Sequence, residues 1–282
     1  MKKTFLGLLA LLAVVFVTGC ATPASHYELG VQYYDSGKLD EAIDEFQSEI
    51  VSNPVDPIVH KALADVLADK GLLPEAVFEW EKAITLRPNY PEVKEKLEAA
   101  YLSMGQDTFE KGKNDEAIEI WKKAIALNSE NIEAHKRLGM AHMANKTFDM
   151  AIPELELVTD KNPNDELVLK KLGMAYFQTD KSDLAAKAFE ALVRLKPTDA
   201  TAYNNLGSVY LKMKKYEDAI QVLTQAVKLA PGKVEILNNL GNAYYNDGKY
   251  KEAGLQWAKV LELEPLNKTA KDNIKTLQQM GE

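Results

Sequence analysis

Residues 166–199 read ELVLKKLGMAYFQTDKSDLAAKAFEALVRLKPTD, and residues 200–233 and 234–267 follow the same plan at a spacing of 34. Leu172-Gly173-x-x-Tyr176 returns as Leu206-Gly207-x-x-Tyr210 and Leu240-Gly241-x-x-Tyr244. An alanine follows in each (Ala185, Ala219, Ala253), then a large apolar residue four positions on (Phe189, Leu223, Trp257), then proline (Pro197, Pro231, Pro265). A fixed period of this size marks a repeat array, in which each unit buries its apolar face only against its neighbours.

Working outward, the frame finds Gly139, Ala151, Leu155 and Pro163, then Ala64, Ala76, Trp80 and Pro88, then Gly30, Ala42, Phe46 and Pro54. Seven frames result: 23–56, 57–90, 98–131, 132–165, 166–199, 200–233 and 234–267. The alanine is present in all seven and the glycine in six, with Ala64 as the exception. Small residues at these places let two helices approach closely, while the aromatic and leucine positions fill the space between hairpins. Gly37, Gly71, Gly112 and Gly248 stand where a first helix should end on a left-handed residue, and proline closes six of the seven second helices. Pro153 lies inside a second helix, where a missing hydrogen bond or a bend is expected.

This pattern resembles the tetratricopeptide repeat (TPR) family. The resemblance implies an all-α, right-handed superhelical solenoid of about seven helix-turn-helix repeats. Residues 91–97 are seven extra residues, close to two helical turns, and predict one long first helix from about Glu92 to Glu110, with a loop as the alternative. Ala270, Ile274 and Leu277 sit at helical spacing among polar residues, so 268–282 reads as a capping helix.

The N-terminus carries a different message. Lys2 and Lys3 precede a thirteen-residue apolar run, Phe5 to Val17, too short for the roughly 20 residues a bilayer core needs. It reads as a signal peptide, residues 1–19. Val17-Thr18-Gly19-Cys20 resembles the lipobox of bacterial lipoproteins, which implies acylation of Cys20, cleavage before it, and a short tether at 20–22. An uncleaved anchor is the alternative. Ala21 follows the cysteine, and by the sorting rule of enteric lipoproteins this implies the outer membrane, with the protein facing the periplasm.

Composition narrows the function. Forty-two acidic against 34 basic residues give a net charge of -8, which disfavours nucleic acid as partner. A single cysteine excludes a disulfide framework and any multi-thiolate site. His26, His60 and His135 each occupy the fourth place of their repeats and His142 lies seven residues after His135, so all four read as packing residues and no metal is expected. With no nucleophile elbow and no phosphate-cradling glycine loop, the chain reads as a non-enzyme without a cofactor beyond the lipid on Cys20.

The expected activity is recognition of another protein or an extended peptide segment. The family resemblance places the first helices on the concave face, with places 2, 5, 6, 9, 12 and 13 of each repeat toward the groove. Read in order, these places give an acidic start (Glu28, Asp35, Asp65, Asp69, Glu110). A basic and soft apolar stretch follows: Lys136, Arg137, Met140, Met143, Lys170, Lys171, Met174 and Phe177. An amide stretch closes the lane: Asn204, Asn205, Asn238, Asn239, Asn242 and Asn246. Methionines adapt to ill-defined apolar partners, and amides can bond a peptide backbone without reading its sequence. The family's clamp for a C-terminal carboxylate is matched by Lys170 and Asn205 but not by Met174 and Glu235. Two roles fit the resemblance: an envelope scaffold or adaptor, and an assembly factor similar to the type IV pilus pilotins. Partner identity and oligomeric state stay open.

Overall fold

A computed structural model describes residues 24–280, so Cys20 and the apolar run before it lie outside the described residues. The described residues form fifteen α-helices and no strand. Fourteen pair as hairpins: α1 (His26–Asp35) with α2 (Leu39–Ser52), α3 (Pro57–Asp69) with α4 (Leu73–Leu86), and α5 (Pro91–Glu110) with α6 (Asn114–Leu127). Then come α7 (Ile132–Ala144) with α8 (Phe148–Lys161), α9 (Glu166–Gln178) with α10 (Ser182–Leu195), α11 (Ala200–Lys212) with α12 (Tyr216–Leu229), and α13 (Val234–Asn246) with α14 (Tyr250–Leu263). A last helix, α15 (Lys268–Met280), follows.

Two compact units divide inside α5, between Val93 and Lys94. In the first unit, α1 to α4 stack in chain order around Phe46, Val59, Leu63, Val66 and Trp80. The second unit stacks successive hairpins in the same manner, with Leu155, Leu172, Phe189, Leu206 and Val209 in its largest core cluster. Across the seven-residue insert the chain stays helical: α5 has 20 residues where α7, α9, α11 and α13 have 13.

The recurring glycine explains how each hairpin closes. A Cβ placed on Gly207 would lie 2.4 Å from Leu223 Cγ, and one on Gly241 would lie 2.4 Å from Trp257 Nε1. The same contact joins Gly30 to Phe46, Gly105 to Trp121, Gly139 to Leu155 and Gly173 to Phe189. Every pair is sixteen residues apart, so the large residue of the second helix sits directly on the bare backbone of the first. Where alanine replaces the glycine, Trp80 has its Nε1 turned to donate to Asp65 at 2.9 Å.

Helix ends follow from local chemistry. Asp56, Asn131, Asp165 and Asp199 accept backbone N–H bonds as N-caps of α3, α7, α9 and α11. Ser25 and Glu28 form a reciprocal capping box on α1. The turn inside each hairpin needs one left-handed residue: Gly37, Gly71, Gly112 and Gly248 have φ from 73° to 84°. In the other three hairpins Lys146, Asp180 and Lys214 adopt φ of 59°. Pro153 sits within α8 without shortening it, since α8 has the same 14 residues as α10 and α12. At the C-terminus, α15 lays Ala270, Ile274 and Leu277 against the Trp257 and Val260 cluster.

Candidate functional site

The expected lane of first-helix residues separates, in the structure, into side chains engaged with their own fold and side chains that are not. Three fifth-place residues reach into the following repeat. Lys61 pairs with Asp65 at 3.0 Å and Glu92 at 2.7 Å, Lys136 with Asp165 at 2.6 Å, and Asn204 donates to Glu235 at 2.8 Å. Burial alone would raise the Asp165 pKa, but hydrogen bonds from Lys136 and the backbone N–H of Val168 prevail and hold it below its ordinary value.

Asn204 requires a correction. It is 3% exposed and accepts from Asn239 Nδ2 at 2.8 Å while donating to Glu235, so it is a buried tie between α11 and α13 instead of a groove ligand. Asn239 shares its amide with Ser208 Oγ at 3.3 Å. Asn238 is half-buried with its Oδ1 unbonded among the described residues. Asn242 accepts at its backbone carbonyl from Asn246 Nδ2 at 2.7 Å. The acidic start is likewise spent in part: Asp65 receives Lys61 and Trp80, and Asp69 accepts from Tyr34 Oη at 2.5 Å. That bond pushes the Tyr34 pKa up to about 12.

Around α5 and α7, a groove of about 310 Å³ is lined by Phe109, Trp121, Lys136, Arg137 and Met140. Arg137 is held there by Glu133 at 2.7 Å and Gln106 Oε1 at 2.8 Å. Met143 packs on the core instead of lining this groove.

A second groove, about 170 Å³ between α9 and α11, is lined by Met174, Phe177, Gln178, Phe189, Asn205 and Ser208. Met174 is 38% exposed, and Phe177 carries Lys212 Nζ 4.6 Å above its ring. On the same helix, Lys170 and Lys171 are half-buried, and among the described residues neither has a hydrogen-bond or ion-pair partner. Asp199, which stands where Asp165 receives Lys136, uses its carboxylate to cap Thr201. Two ammonium groups, an apolar hollow and the Asn205 amide are thereby gathered on one face with no internal use for the charge.

Three histidines proved to have partners that were not anticipated. His26, His60 and His135 each turn Nδ1 to a glutamate nineteen residues on: Glu45 at 2.6 Å, Glu79 at 2.6 Å and Glu154 at 2.5 Å. His60 and His135 also set Nε2 against backbone carbonyls of Pro54 and Ser129 at 3.1 and 3.0 Å. Burial lowers the His135 pKa, but the Glu154 and Ser129 bonds outweigh it and raise the pKa overall. His142, by contrast, is lowered by burial. Among the described residues no three His, Cys, Asp or Glu side chains are grouped to hold a metal, and no helix is long and apolar enough to cross a membrane.

Stacked helical hairpins define a repeat-type, all-α protein. The family description "Cilia and flagella-associated protein 70 C-terminal domain" matches residues 85–277, and "Tetratricopeptide repeat" matches residues 27–91. The chain belongs to the tetratricopeptide repeat family. No curated protein matches it. Among solved structures it is similar to MamA, with 28% identity and a TM-score of 0.58 over 60% of this chain and 93% of that one. MamA from Desulfovibrio magneticus RS-1 shares 24% identity, with a TM-score of 0.57 over 61% of this chain and 97% of that one. YrrB, described as a TPR protein with an unusual peptide-binding site, shares 25% identity with a TM-score of 0.50 over 68% of this chain and 95% of that one.

Proposed function

We propose that this protein is a lipid-anchored scaffold of the bacterial envelope that binds a partner protein through the first-helix face of α7, α9 and α11. One observation carries the binding half of this reading: Lys170 and Lys171 are half-buried, lack partners among the described residues, and stand on the helix that supplies Met174 and Phe177 to the groove. An ammonium group that makes no internal ion pair is open to a carboxylate of a partner. A peptide segment bringing an apolar side chain to Met174 and Phe177, backbone groups to Asn205 and carboxylates to the lysines would use all three features. The peptide-binding site named for YrrB supports peptide recognition by a repeat stack of this kind. No group of side chains described above suggests catalysis.

The anchoring half rests on the lipobox-like Val17-Thr18-Gly19-Cys20. Several acyl chains on Cys20 would hold the chain to a membrane far more tightly than surface charge could. Placement at the outer membrane, facing the periplasm, follows from Ala21 by the enteric sorting pattern. Membrane fractionation tests it: wild type should stay with the membranes through a high-salt wash, and Cys20→Ser should be soluble or remain as an uncut precursor. A wild-type protein removed by salt alone would contradict the anchor, because screening weakens charge contacts and leaves acyl burial intact.

A further inference from the structure

Val51 and Val55, at the corner between α2 and α3, are 85% and 66% exposed, and Ile58 just beyond them is 45% exposed. The same two places of the repeat carry Asp160 and Asn164, Arg194 and Thr198, and Lys228 and Gly232 in the fourth to sixth repeats. The seventh repeat has Glu262 and the 87% exposed Leu266 there, so the first corner stands apart in carrying branched aliphatic side chains at both places. Beside it lies a groove of about 430 Å³ whose lining includes Ile50, Pro54, Phe78 and Leu86. Phe78 is 55% exposed and Leu86 is 39% exposed. Ile50 and Pro54 of the groove are chain neighbours of Val51 and Val55, and exposed apolar side chains brought this near one another mark a contact site.

The start of α1 shows what lies next to this patch. Tyr27 N–H donates to Glu49 at 3.2 Å and His26 bonds Glu45 at 2.6 Å, which fixes the first turn of α1 beside the last turns of α2. Cys20 stands six residues before His26, at most about 20 Å of extended chain. An acylated Cys20 would bring the bilayer within that distance of the start of α1, which is bonded to the last turns of α2 just before Val51. Glu49, Asp56 and Glu81 flank the patch alongside Lys82 and Arg87, so it offers no net positive charge to anionic headgroups. Its attraction to a membrane is apolar.

We infer that the α2–α3 corner and the adjoining groove form a lipid-facing surface, which seats the N-terminal repeats against the bilayer beside the acyl anchor. This rests on the anchor reading above. A second, apolar contact at headgroup depth would orient the N-terminal repeats on the bilayer.

The test uses the mature, acylated protein in phosphatidylcholine vesicles that contain some nitroxide-labelled lipid. A fluorophore is attached to the Val55→Cys or Val51→Cys variant, and for comparison to Lys38→Cys in the turn at the far end of the first hairpin. Several-fold stronger quenching at 51 and 55 than at 38, unchanged by high salt, is the expected result. Equal, weak quenching at all three positions would overturn the inference while leaving the anchor intact. Protection of the position 55 label from aqueous iodide without lipid quenching would also overturn it, by showing that a protein surface, a second copy or another partner, occupies the patch. Protein that fails to sediment with the vesicles would contradict the anchor itself, and the inference would fall with it.

Discussion

His135 Nδ1 and Glu154 Oε2 lie 2.5 Å apart across the hairpin of α7 and α8, while His135 Nε2 faces the carbonyl of Ser129 at 3.0 Å. Only an imidazolium can donate to both acceptors, because a neutral ring carries a single N–H. The raised His135 pKa agrees with this geometry.

A group whose pKa is higher in the folded than in the unfolded state stabilises fully below the unfolded value and loses that contribution as pH rises through the folded one. His135 therefore predicts a stability term fully present below about pH 6.5 and lost progressively as pH rises from there through the raised folded value. The fifth repeat carries Leu169 and Ala188 at the same two places, so His135→Leu with Glu154→Ala is the natural reference. The melting temperature of wild type relative to this variant should fall as pH is raised from 6 toward 9, and a pH-independent difference would contradict the pairing. Glu154→Ala alone should cost more than the double change, on the order of 1–3 kcal/mol, because it strands a buried donor.

Gly207 tests the packing rule of the hairpins. An added Cβ would meet Leu223 at its branching carbon, which cannot swing aside as a chain end could. Gly207→Ala should destabilise by roughly 1–3 kcal/mol, and combined with Leu223→Ala it should cost less than the sum of the two single changes, because the added Cβ fills space the leucine vacates. Hydrogen exchange should show the loosening centred on α11 and α12, as stacking by neighbour contacts requires. Equal loosening throughout α7 to α15 would argue for a single cooperative core instead.

At Lys146 and Lys214 the hairpin turn holds a lysine at φ of 59° where four other hairpins have glycine. A left-handed residue with a Cβ costs about 1–2 kcal/mol, against about 0.5–1 kcal/mol of extra unfolded-state entropy for glycine. Lys214→Gly should raise stability by about 0.5–1 kcal/mol, read from denaturant midpoints. A decrease would show that the lysine contributes contacts beyond its backbone.

The fold was legible because its rules are local and repeated: glycine or alanine at the eighth place, alanine at the twentieth and a large apolar residue at the twenty-fourth are short-range signatures of one hairpin. The histidine pairs were legible in principle, since Glu45, Glu79 and Glu154 follow His26, His60 and His135 at one spacing. Treating each histidine as a packing residue within its helix hid a partner on the next one. The binding face was read less well. Helical periodicity puts places five and six on one face, but it does not show that Lys136 and Asn204 reach into the following repeat for Asp165 and Glu235. Lys170, at the same place, makes no such pair although Asp199 stands where Asp165 does and likewise caps its helix, a difference of side-chain geometry with no sequence signature. Cys20 lies outside the described residues.

Binding through the first-helix face is most directly tested by photo-crosslinking in the producing cell, with the crosslinker placed at Met174 in the groove or at Lys187 on the exposed side of α10. The account predicts a discrete protein adduct from position 174 that is absent from 187 and is lost when Lys170→Glu and Lys171→Glu are added. Adducts formed at 187 but not at 174, or a 174 adduct indifferent to both lysine changes, would contradict it.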